Sequence, residues 1–313
     1  VSFPFGVDEM DEGRIKKLKR IFGKNAISFF YRSLWFLSDE SFIKLIYRLR
    51  MGKRLNLDNP KTFTEKLQWL KLYDHNPMYT TMADKIGMRG FVEDRLGCGY
   101  TVPLVGVYGS FKKIGLDELP SQFVMKTSHD SGSYIVCRDK ASFDVKAAKK
   151  AMNRSLRRNY YMTTREWQYK DIVPKILVEE FLSDGNEALT DYKFFCFNGK
   201  CEFLYIMCET SSIPSQIILD SDFNRLPFRM DDDQVDSMPE KPSCFEEMKR
   251  IAQVLSHGIP FLRVDMYLVD GKVYVGELTF YHYGGYIPFS PPEWDEKLGE
   301  LIDLDEVKGG VER

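Results

Sequence analysis

Four polar side chains interrupt an otherwise apolar stretch at residues 261–285. Arg263 and Asp265 precede an Asp-Gly dipeptide at 270–271, and Glu277 and Thr279 follow it. Asp-Gly favours a tight turn between two antiparallel strands. Burying polar groups within such strands costs free energy unless each group finds a partner. The stretch therefore predicts a hairpin whose polar groups meet one another or a ligand.

The register of this hairpin decides whether its two carboxylates meet, because side chains alternate between the faces of a strand. A loop of two or four residues would place Asp265 and Glu277 on opposite faces. A loop of three residues, 269–271, with Gly271 left-handed and a bulge, would place them on the same face. We predict the three-residue loop.

On that prediction, Asp265, Glu277 and Thr279 present oxygen atoms to one site. Mg²⁺ takes a few protein oxygens and keeps positions for phosphate and water. Arg263 beside the site would neutralise negative charge on an oxyanion or phosphoryl group. The alternative is a hairpin whose edge charges form a salt bridge, and spacing alone leaves both interpretations open.

Composition indicates a globular protein. The 313 residues are 43% hydrophobic and 29% charged, with a net charge of −2, which suits one large or two to three small units with their own cores. A net charge near zero argues against nucleic acid as the main partner. Six scattered cysteines are typical of reduced thiols. Because we find no long apolar run and no signal peptide, we expect a soluble, cytoplasmic protein.

Residues 1–55 predict a helical N-terminal extension. Basic residues at 14–24 precede aromatic residues at 29–36, and Ser38 is placed to cap a helix that ends near Gly52. Such a segment could make a peripheral contact with the inner face of a membrane. It could equally pack as a helical arm on the body of the protein or on a second subunit.

The rest of the chain changes from helices to strands. Thr62 and Glu65 have the spacing of a capping box at the start of one helix, and a second helix is predicted at 81–96. Beyond residue 102 many strands follow with few helices between them. This order indicates an α+β fold rather than an alternating doubly wound sheet.

A second candidate site surrounds Lys126, at the end of a predicted strand. The loop that follows contains Ser128, Ser131, Gly132 and Ser133. Backbone N–H groups of a small-residue loop can cover phosphates, and the lysine adds a point charge. Many ordinary hairpin turns also contain serine and glycine, so this pattern alone does not decide.

Taken in order, these segments resemble the ATP-grasp superfamily, and more narrowly the TupA-like ATP-grasp family of bacterial polysaccharide gene clusters. The resemblance covers residues 38–305 and is carried by NPKTFTEKLQWLKLYDHNP, ADKIGMRGFVEDRLG, FVMKTSHDSGS, DYKFFCFNGK and RVDMYLVDGKVYVGELTFYHYGG. It implies an α+β ATP-grasp fold, in which two α+β subdomains clasp ATP. We expect an extension at 1–55, a substrate-side subdomain at 56–120, a lid at 121–180, a C-terminal subdomain with the metal site at 181–305, and a tail at 306–313.

The resemblance also implies roles on the nucleotide side. Lys126 and Lys193 resemble lysines at the ATP phosphates, and the loop at 128–133 resembles the lid over them. The segment that resembles the adenine-binding hinge consists of Glu179, Glu180, Phe181 and Leu182. Glu187, or else Asp184, would hold the ribose. Lys85 and Arg89 match a helix near the nucleotide or the substrate.

On the metal side, Asp265 and Glu277 resemble the Mg²⁺ ligands, with Glu277 bridging two ions. Thr279 stands where many ATP-grasp enzymes have an asparagine ligand, which is a departure from the wider pattern. Arg263 resembles the arginine near the acyl phosphate, and together with Lys193 it is the expected catalytic residue. His282 follows closely and could touch substrate, although a structural role is favoured for it.

The implied activity is an ATP- and Mg²⁺-dependent carboxylate–amine ligase that forms an amide through an acyl phosphate. Its substrates would be a carboxylated sugar of a surface polysaccharide and an amino acid or other amine. Phosphoryl transfer needs positioning and charge neutralisation, in agreement with a sequence that shows no Ser-His-Asp or Cys-His arrangement. The alternatives are a sugar or glycan kinase, in which a hydroxyl is the acceptor, and a nucleotide-sugar glycosyltransferase or a nucleotide-binding accessory protein.

Overall fold

The computed structural model describes residues 30–185, 189–208, 215–230, 233–234, 237–305 and 307. A six-stranded sheet forms its larger half. Its strands are β5 (Asp191–Phe197), β6 (Lys200–Cys208), β7 (Ser215–Asp220), β9 (Asp233–Gln234), β10 (Phe261–Val269) and β11 (Lys272–Thr279). They lie in the order β11-β10-β5-β6-β7-β9, and all neighbouring strands are antiparallel except β7 and β9. A two-residue pair, β8 (Arg229–Met230) with β12 (Phe289–Ser290), lies apart from it.

Helices cover this sheet and bury its apolar side chains in one large core. The helices are α2 (Phe63–Tyr73), α3 (Met78–Ala83), α4 (Gly87–Leu96), α7 (Phe245–Ser256) and α8 (Glu293–Glu300). Phe194, Phe245 and Leu262 are among the fully buried residues. The capping box predicted for α2 is confirmed: the Glu65 N–H donates to Thr62 Oγ1 at 3.3 Å, and the Thr62 N–H donates to Glu65 Oε2 at 3.2 Å.

A four-stranded antiparallel sheet forms the smaller half. Its strands are β1 (Leu104–Tyr108), β2 (Phe123–Thr127), β3 (Tyr134–Cys137) and β4 (Ile176–Glu180), which lie in the order β1-β4-β2-β3. Helix α5 (Val145–Ser155) packs on this sheet. Phe123, Met125 and Met152 share a separate apolar core. The expected α+β class is confirmed. The strand β1 comes from the segment expected on the substrate side, yet it pairs with β4 of the expected lid.

The described part of the N-terminal extension packs on the body of the protein. Helix α1 (Asp39–Met51) begins at Ser38, whose side chain accepts the Ser41 N–H, and ends at Gly52 in the left-handed region. Its buried face, which includes Phe42 and Tyr47, packs against Tyr286. Residues 1–29 and the expected tail from 308 onward lie outside the described residues. No helix among those described is long and apolar enough to cross a membrane.

Polar contacts join this extension to the segment at residues 161–165. Asp39 accepts the Tyr161 hydroxyl at 2.7 Å on each carboxylate oxygen, and Arg165 Nη2 donates to the Leu34 carbonyl at 3.3 Å. Tyr161 belongs to the short helix α6 (Tyr161–Thr164). The helical arm packed on the body is therefore the arrangement seen for residues 39–51.

The predicted three-residue hairpin loop is wrong, because Val269 pairs directly with Lys272 and the loop has two residues. Asp270 and Gly271 both have positive φ, 50° and 74°, as a type I′ turn requires. The extra residue lies instead at Gly276, where the register shifts between Asp265 opposite Glu277 and Met266 opposite Val275. This bulge restores both carboxylates to the same face, so the predicted juxtaposition is confirmed although its cause differs.

We expect Gly276→Val to destabilise the protein by about 1–3 kcal/mol, since a Cβ at this bulge would lie 2.5 Å from the Tyr267 ring. Thermal unfolding measures the loss. The matched control is Gly90→Ala in α4, where a Cβ would meet no atom within 4 Å and alanine favours helix by about 0.4–1 kcal/mol. Equal stability of the Gly276 variant and the wild type would contradict this account of the bulge.

Candidate functional site

The polar residues of the hairpin meet on one face of the large sheet. In the strand register Asp265 lies between Lys193 on β5 and Glu277 on β11, and Arg263 lies opposite Thr279. Residues directly opposite each other in antiparallel strands project to the same face. The structure therefore brings together the five residues for which the sequence predicted catalytic or metal-binding roles.

Asp265 is the centre of this face, and two cations hold it. Arg263 donates from Nε to Oδ1 and from Nη2 to Oδ2, each at 2.6 Å, and Lys193 Nζ donates to Oδ2 at 2.8 Å. Asp265 is only 2% exposed. Burial alone would raise the pKa of this carboxyl, but Arg263 and Lys193 hold it below its ordinary value. Asp265 is therefore a carboxylate.

His282 completes the contacts of Arg263. Nη1 of Arg263 lies 2.6 Å from Nδ1 of His282, and since arginine can only donate, Nδ1 must accept. Burial, with the Arg263 charge, lowers the pKa of His282 well below its ordinary value. A neutral imidazole thus accepts from Nη1, the guanidinium nitrogen that Asp265 does not contact, which supports the structural role favoured for His282.

Glu277 and Thr279 lie at the more open side of the face. Glu277 Oε2 is 3.7 Å from Arg263 Nη2, and the Glu277 side chain is 30% exposed. Within the described residues, no group of three or more His, Cys, Asp or Glu side chains could hold a metal ion. Two carboxylates instead suit a Mg²⁺ ion that takes its other ligands from phosphate and water. The metal roles of Asp265, Glu277 and Thr279 remain a prediction.

A pocket of about 460 Å³ adjoins this face and is lined by residues of both sheets. Val124, Lys126 and Val136 line it from the small sheet, and Met207 and Tyr267 line it from the large one. The predicted hinge residues Glu179, Glu180, Phe181 and Leu182 also line the pocket. The structure thus places Lys126 and the hinge around one cavity, as the resemblance implied.

The carboxylate of Glu179, which lines this pocket, contacts two other predicted residues. Lys126 Nζ lies 2.8 Å from its Oε2, and Arg89 Nη1 lies 3.4 Å from its Oε1. Arg89 also donates to the Val102 carbonyl at 2.7 Å. Asp184 follows Ser183, another lining residue. Glu187 lies outside the described residues, so its predicted contact with ribose is a prediction only.

The loop at 128–133 is anchored at its base through Asp130, which is buried. Ser133 Oγ donates to Asp130 Oδ2 at 2.6 Å, Ser155 Oγ donates to the same atom at 2.5 Å, and Lys85 Nζ donates to the Asp130 carbonyl. Ser128 is fully buried, whereas Ser131 and Gly132 are exposed. Of the predicted phosphate-covering residues, Ser131 and Gly132 at the tip are therefore the most open to a ligand, Ser133 is half-buried, and Lys85 supports the loop.

The structure adds Asp191 to the site, a residue that sequence reasoning missed. Asp191 Oδ2 contacts Lys193 Nζ, and its Oδ1 is buried without a hydrogen-bond partner among the described residues. Burial and the nearby Asp265 charge raise the pKa of Asp191 to about 6. The available signal was its position two residues before Lys193, which places both side chains on the same face.

A buried pair, Glu166 and Lys71, was also missed. Lys71 Nζ donates to Gln68 Oε1 at 2.9 Å and to the Gly284 carbonyl at 2.7 Å. Among the described residues the Glu166 carboxylate accepts one hydrogen bond, from Gln168 Nε2 at 3.5 Å. Gly284 belongs to the turn that carries His282, so Lys71 helps to hold this turn in place. Only tertiary contacts reveal it.

We expect His282→Leu to lower the free energy of unfolding by about 1–3 kcal/mol, since it leaves a buried Arg263 N–H without an acceptor. His282→Asn should lose less, because its amide oxygen can accept near the position of Nδ1. Denaturant unfolding compares the two variants. Leucine fills the space better than asparagine, so equal or smaller loss in His282→Leu would contradict the importance of the hydrogen bond.

The stability of the wild type should depend on pH through Glu166. Burial raises its pKa from 4.5 to about 7, so the folded state binds more protons than the unfolded state in that window, and Glu166 makes stability fall as pH rises through it. Glu166→Gln removes this contribution. Unfolding free energies measured across the window should fall less steeply in the variant, and identical slopes would show that Glu166 is not perturbed.

The chain matches a family of known proteins. A family model described as TupA-like ATPgrasp matches residues 65–303, while no curated protein matches the chain. Similar solved structures include D-alanine–D-alanine ligase from Bacillus anthracis with ATP, at 13% identity and a TM-score of 0.45 over 75% of this chain and 69% of that one. The ATP-grasp ligase PsnB with its minimal precursor has 10% identity and a TM-score of 0.39, over 95% and 75%.

A RimK domain ATP-grasp protein from Sphaerobacter thermophilus is similar at 12% identity and a TM-score of 0.40, over 72% of this chain and 69% of that one. The family match extends over most of the chain and includes β2, the hinge, Lys193 and the whole polar hairpin. The predicted fold and family are thereby confirmed. The chain is an ATP-grasp enzyme and belongs to the TupA-like ATP-grasp family.

Proposed function

We propose that the protein is an ATP- and Mg²⁺-dependent carboxylate–amine ligase. The observation that carries the proposal is the polar face around Asp265, which adjoins a pocket lined by both sheets. The face combines two carboxylates with Arg263 and Lys193, and it contains no nucleophile–histidine arrangement among the described residues. Such a set can position and neutralise phosphates, which is most of what phosphoryl transfer asks of a protein.

Different parts of the pocket would bind different parts of the nucleotide. Its apolar wall, with Val124, Val136 and Leu182 among the lining residues, suits a base. Lys126 and the exposed tip of the 128–133 loop would contact the phosphates. Lys193 would reach them from the large sheet. Asp265 and Glu277 would hold Mg²⁺, with Thr279 beside them, and the ion would neutralise charge on the phosphate oxygens.

The reaction proposed for this site has two steps. A substrate carboxylate oxygen attacks the γ-phosphorus of ATP, and the bond from that phosphorus to the β–γ bridging oxygen breaks, which gives ADP and an acyl phosphate. The amine nitrogen then attacks the acyl carbon, phosphate leaves, and an amide remains after loss of a proton. Arg263, fixed by Asp265 and His282, would stabilise the negative charge that develops on the transferred group.

For the substrates we propose a carboxylated sugar of a bacterial surface polysaccharide and an amino acid or other amine. The support is the TupA-like resemblance alone. The D-alanine–D-alanine ligase and the PsnB ligase named above are consistent with the amide-forming class. We also propose that the reaction takes place in the cytoplasm. The basic, aromatic segment within residues 1–55 would bring the enzyme to the inner face of the membrane.

The proposal is tested by incubating the protein with ATP, Mg²⁺ and a panel of carboxylated sugars, with hydroxylamine as the amine. We expect ADP release together with a hydroxamate. Glu277→Gln should reduce turnover on the order of 100-fold or more, because it removes a charge that would hold the metal at the phosphates. The control is Glu296→Gln, an exposed position on α8, which should keep wild-type turnover.

Each other outcome points to a different activity. ADP release with a phosphorylated sugar and no hydroxamate would indicate a kinase. Stabilisation by nucleotide sugars but not by ATP would indicate a transferase. Wild-type turnover in folded Glu277→Gln would overturn the metal assignment.

A further inference from the structure

The carboxylate proposed to bind Mg²⁺ already has cationic partners. Both oxygens of Asp265 accept from Arg263, and Oδ2 also accepts from Lys193. The Asp265 side chain is buried, and its carboxylate lies on the same face of the sheet as Arg263 and Lys193. A divalent cation approaching it would meet two positive charges within 2.8 Å of its oxygens, and like charges repel strongly at such distances where water is excluded.

The two cations differ in how firmly they are fixed. Arg263 makes two bonds to Asp265 and a third to buried His282, so all three nitrogens of its planar group are held. Lys193 has a flexible four-carbon stem with a compact charge. Its Nζ contacts both Asp265 and Asp191. Lys193 is therefore the partner that can leave Asp265 at the smaller cost.

Asp191 shows where Lys193 would go. Asp191 lines the large pocket, on the same strand and the same face as Lys193. The ammonium thus sits between the metal-side carboxylate and the pocket in which we place the nucleotide. Phosphates there would offer Lys193 new anionic partners while Asp191 remains within its reach.

We propose that Lys193 is an exchangeable counter-ion of Asp265, which releases this carboxylate to a divalent cation only when nucleotide phosphates occupy the pocket. The proposal rests on the proposed function, since it assigns the order in which that site is assembled. Metal alone binds poorly to the wild type because Arg263 and Lys193 together fill the acceptor positions of Asp265 Oδ2. When Lys193 leaves, one of these positions becomes free, since a carboxylate oxygen offers about two. The dependence on nucleotide is then a property of the protein, in addition to the direct attraction between a metal ion and phosphates.

Removing the lysine separates these two sources of dependence. We would titrate Mn²⁺ into nucleotide-free protein and follow free Mn²⁺ by electron paramagnetic resonance. Lys193→Met should bind Mn²⁺ at least about 10-fold more tightly than the wild type, which corresponds to about 1.4 kcal/mol. The gain should disappear in Lys193→Met combined with Asp265→Asn.

The matched control is Lys126→Met, which removes a charge from the same pocket but pairs with Glu179 rather than Asp265. It should leave Mn²⁺ binding without nucleotide as weak as in the wild type. An equal gain in Lys126→Met would mean that net charge alone sets metal affinity. No gain in Lys193→Met, or tight Mn²⁺ binding by the wild type, would overturn the proposal.

The same preparations separate this inference from the proposed function. If ATP and ADP with Mg²⁺ fail to raise the unfolding temperature of the wild type, the proposed function fails. If they raise it while Lys193→Met shows no gain in Mn²⁺ affinity, only the counter-ion proposal fails. Should Lys193→Met not fold, Lys193→Gln keeps a polar side chain of similar reach and carries the same expectation.

Discussion

The site depends on one constraint: the charge of Asp265 is buried in the middle of a sheet and must be compensated there. An unpaired carboxylate at this depth would cost several kcal/mol, so β10 and the strands beside it must carry compensating groups in register. Lys193 on β5 does so directly, and Arg263 does so from β10 itself. The turn after β11 then supplies His282 to Arg263. Strand order and register are in this way tied to a network of charges.

A second layer of buried polar groups supports that network. Helix α2 contributes Gln68, whose Nε2 donates to the carbonyls of Gly284 and Gly285 at 3.0 and 2.8 Å, and Lys71, which donates to Gly284. These bonds hold the turn that carries His282. The position of Arg263 is thus set partly by a helix that contributes no predicted site residue. Buried polar groups that are paired, as Gln68 and Lys71 are, make a core rigid and specific.

Sequence reasoning predicted which residues come together better than it predicted how the fold brings them together. Strand alternation placed Arg263 and Asp265 on one face, and the resemblance placed Lys126 and the hinge at one pocket. The predicted loop length was wrong. The sequence shows a glycine inside each candidate segment, but it does not show whether the extra residue of the hairpin lies in the turn or in a bulge at Gly276. Asp191 was missed although its spacing from Lys193 on one strand was a usable signal. Glu166 and Lys71 were missed for another reason, because folding brings them near the site from distant segments and spacing along the chain does not encode this.

The bulge at Gly276 also separates the hairpin into two parts with different tolerance to change. Between the bulge and the turn, Val269 and Lys272 close a short ladder whose tip, Asp270 and Gly271, is exposed. Beyond the bulge lie the paired Asp265 and Glu277. Since the register of the site is set at Gly276, the tip is a suitable place to open the chain or to insert a reporter domain. The hairpin thus offers an attachment point some distance along the sheet from the chemistry it supports.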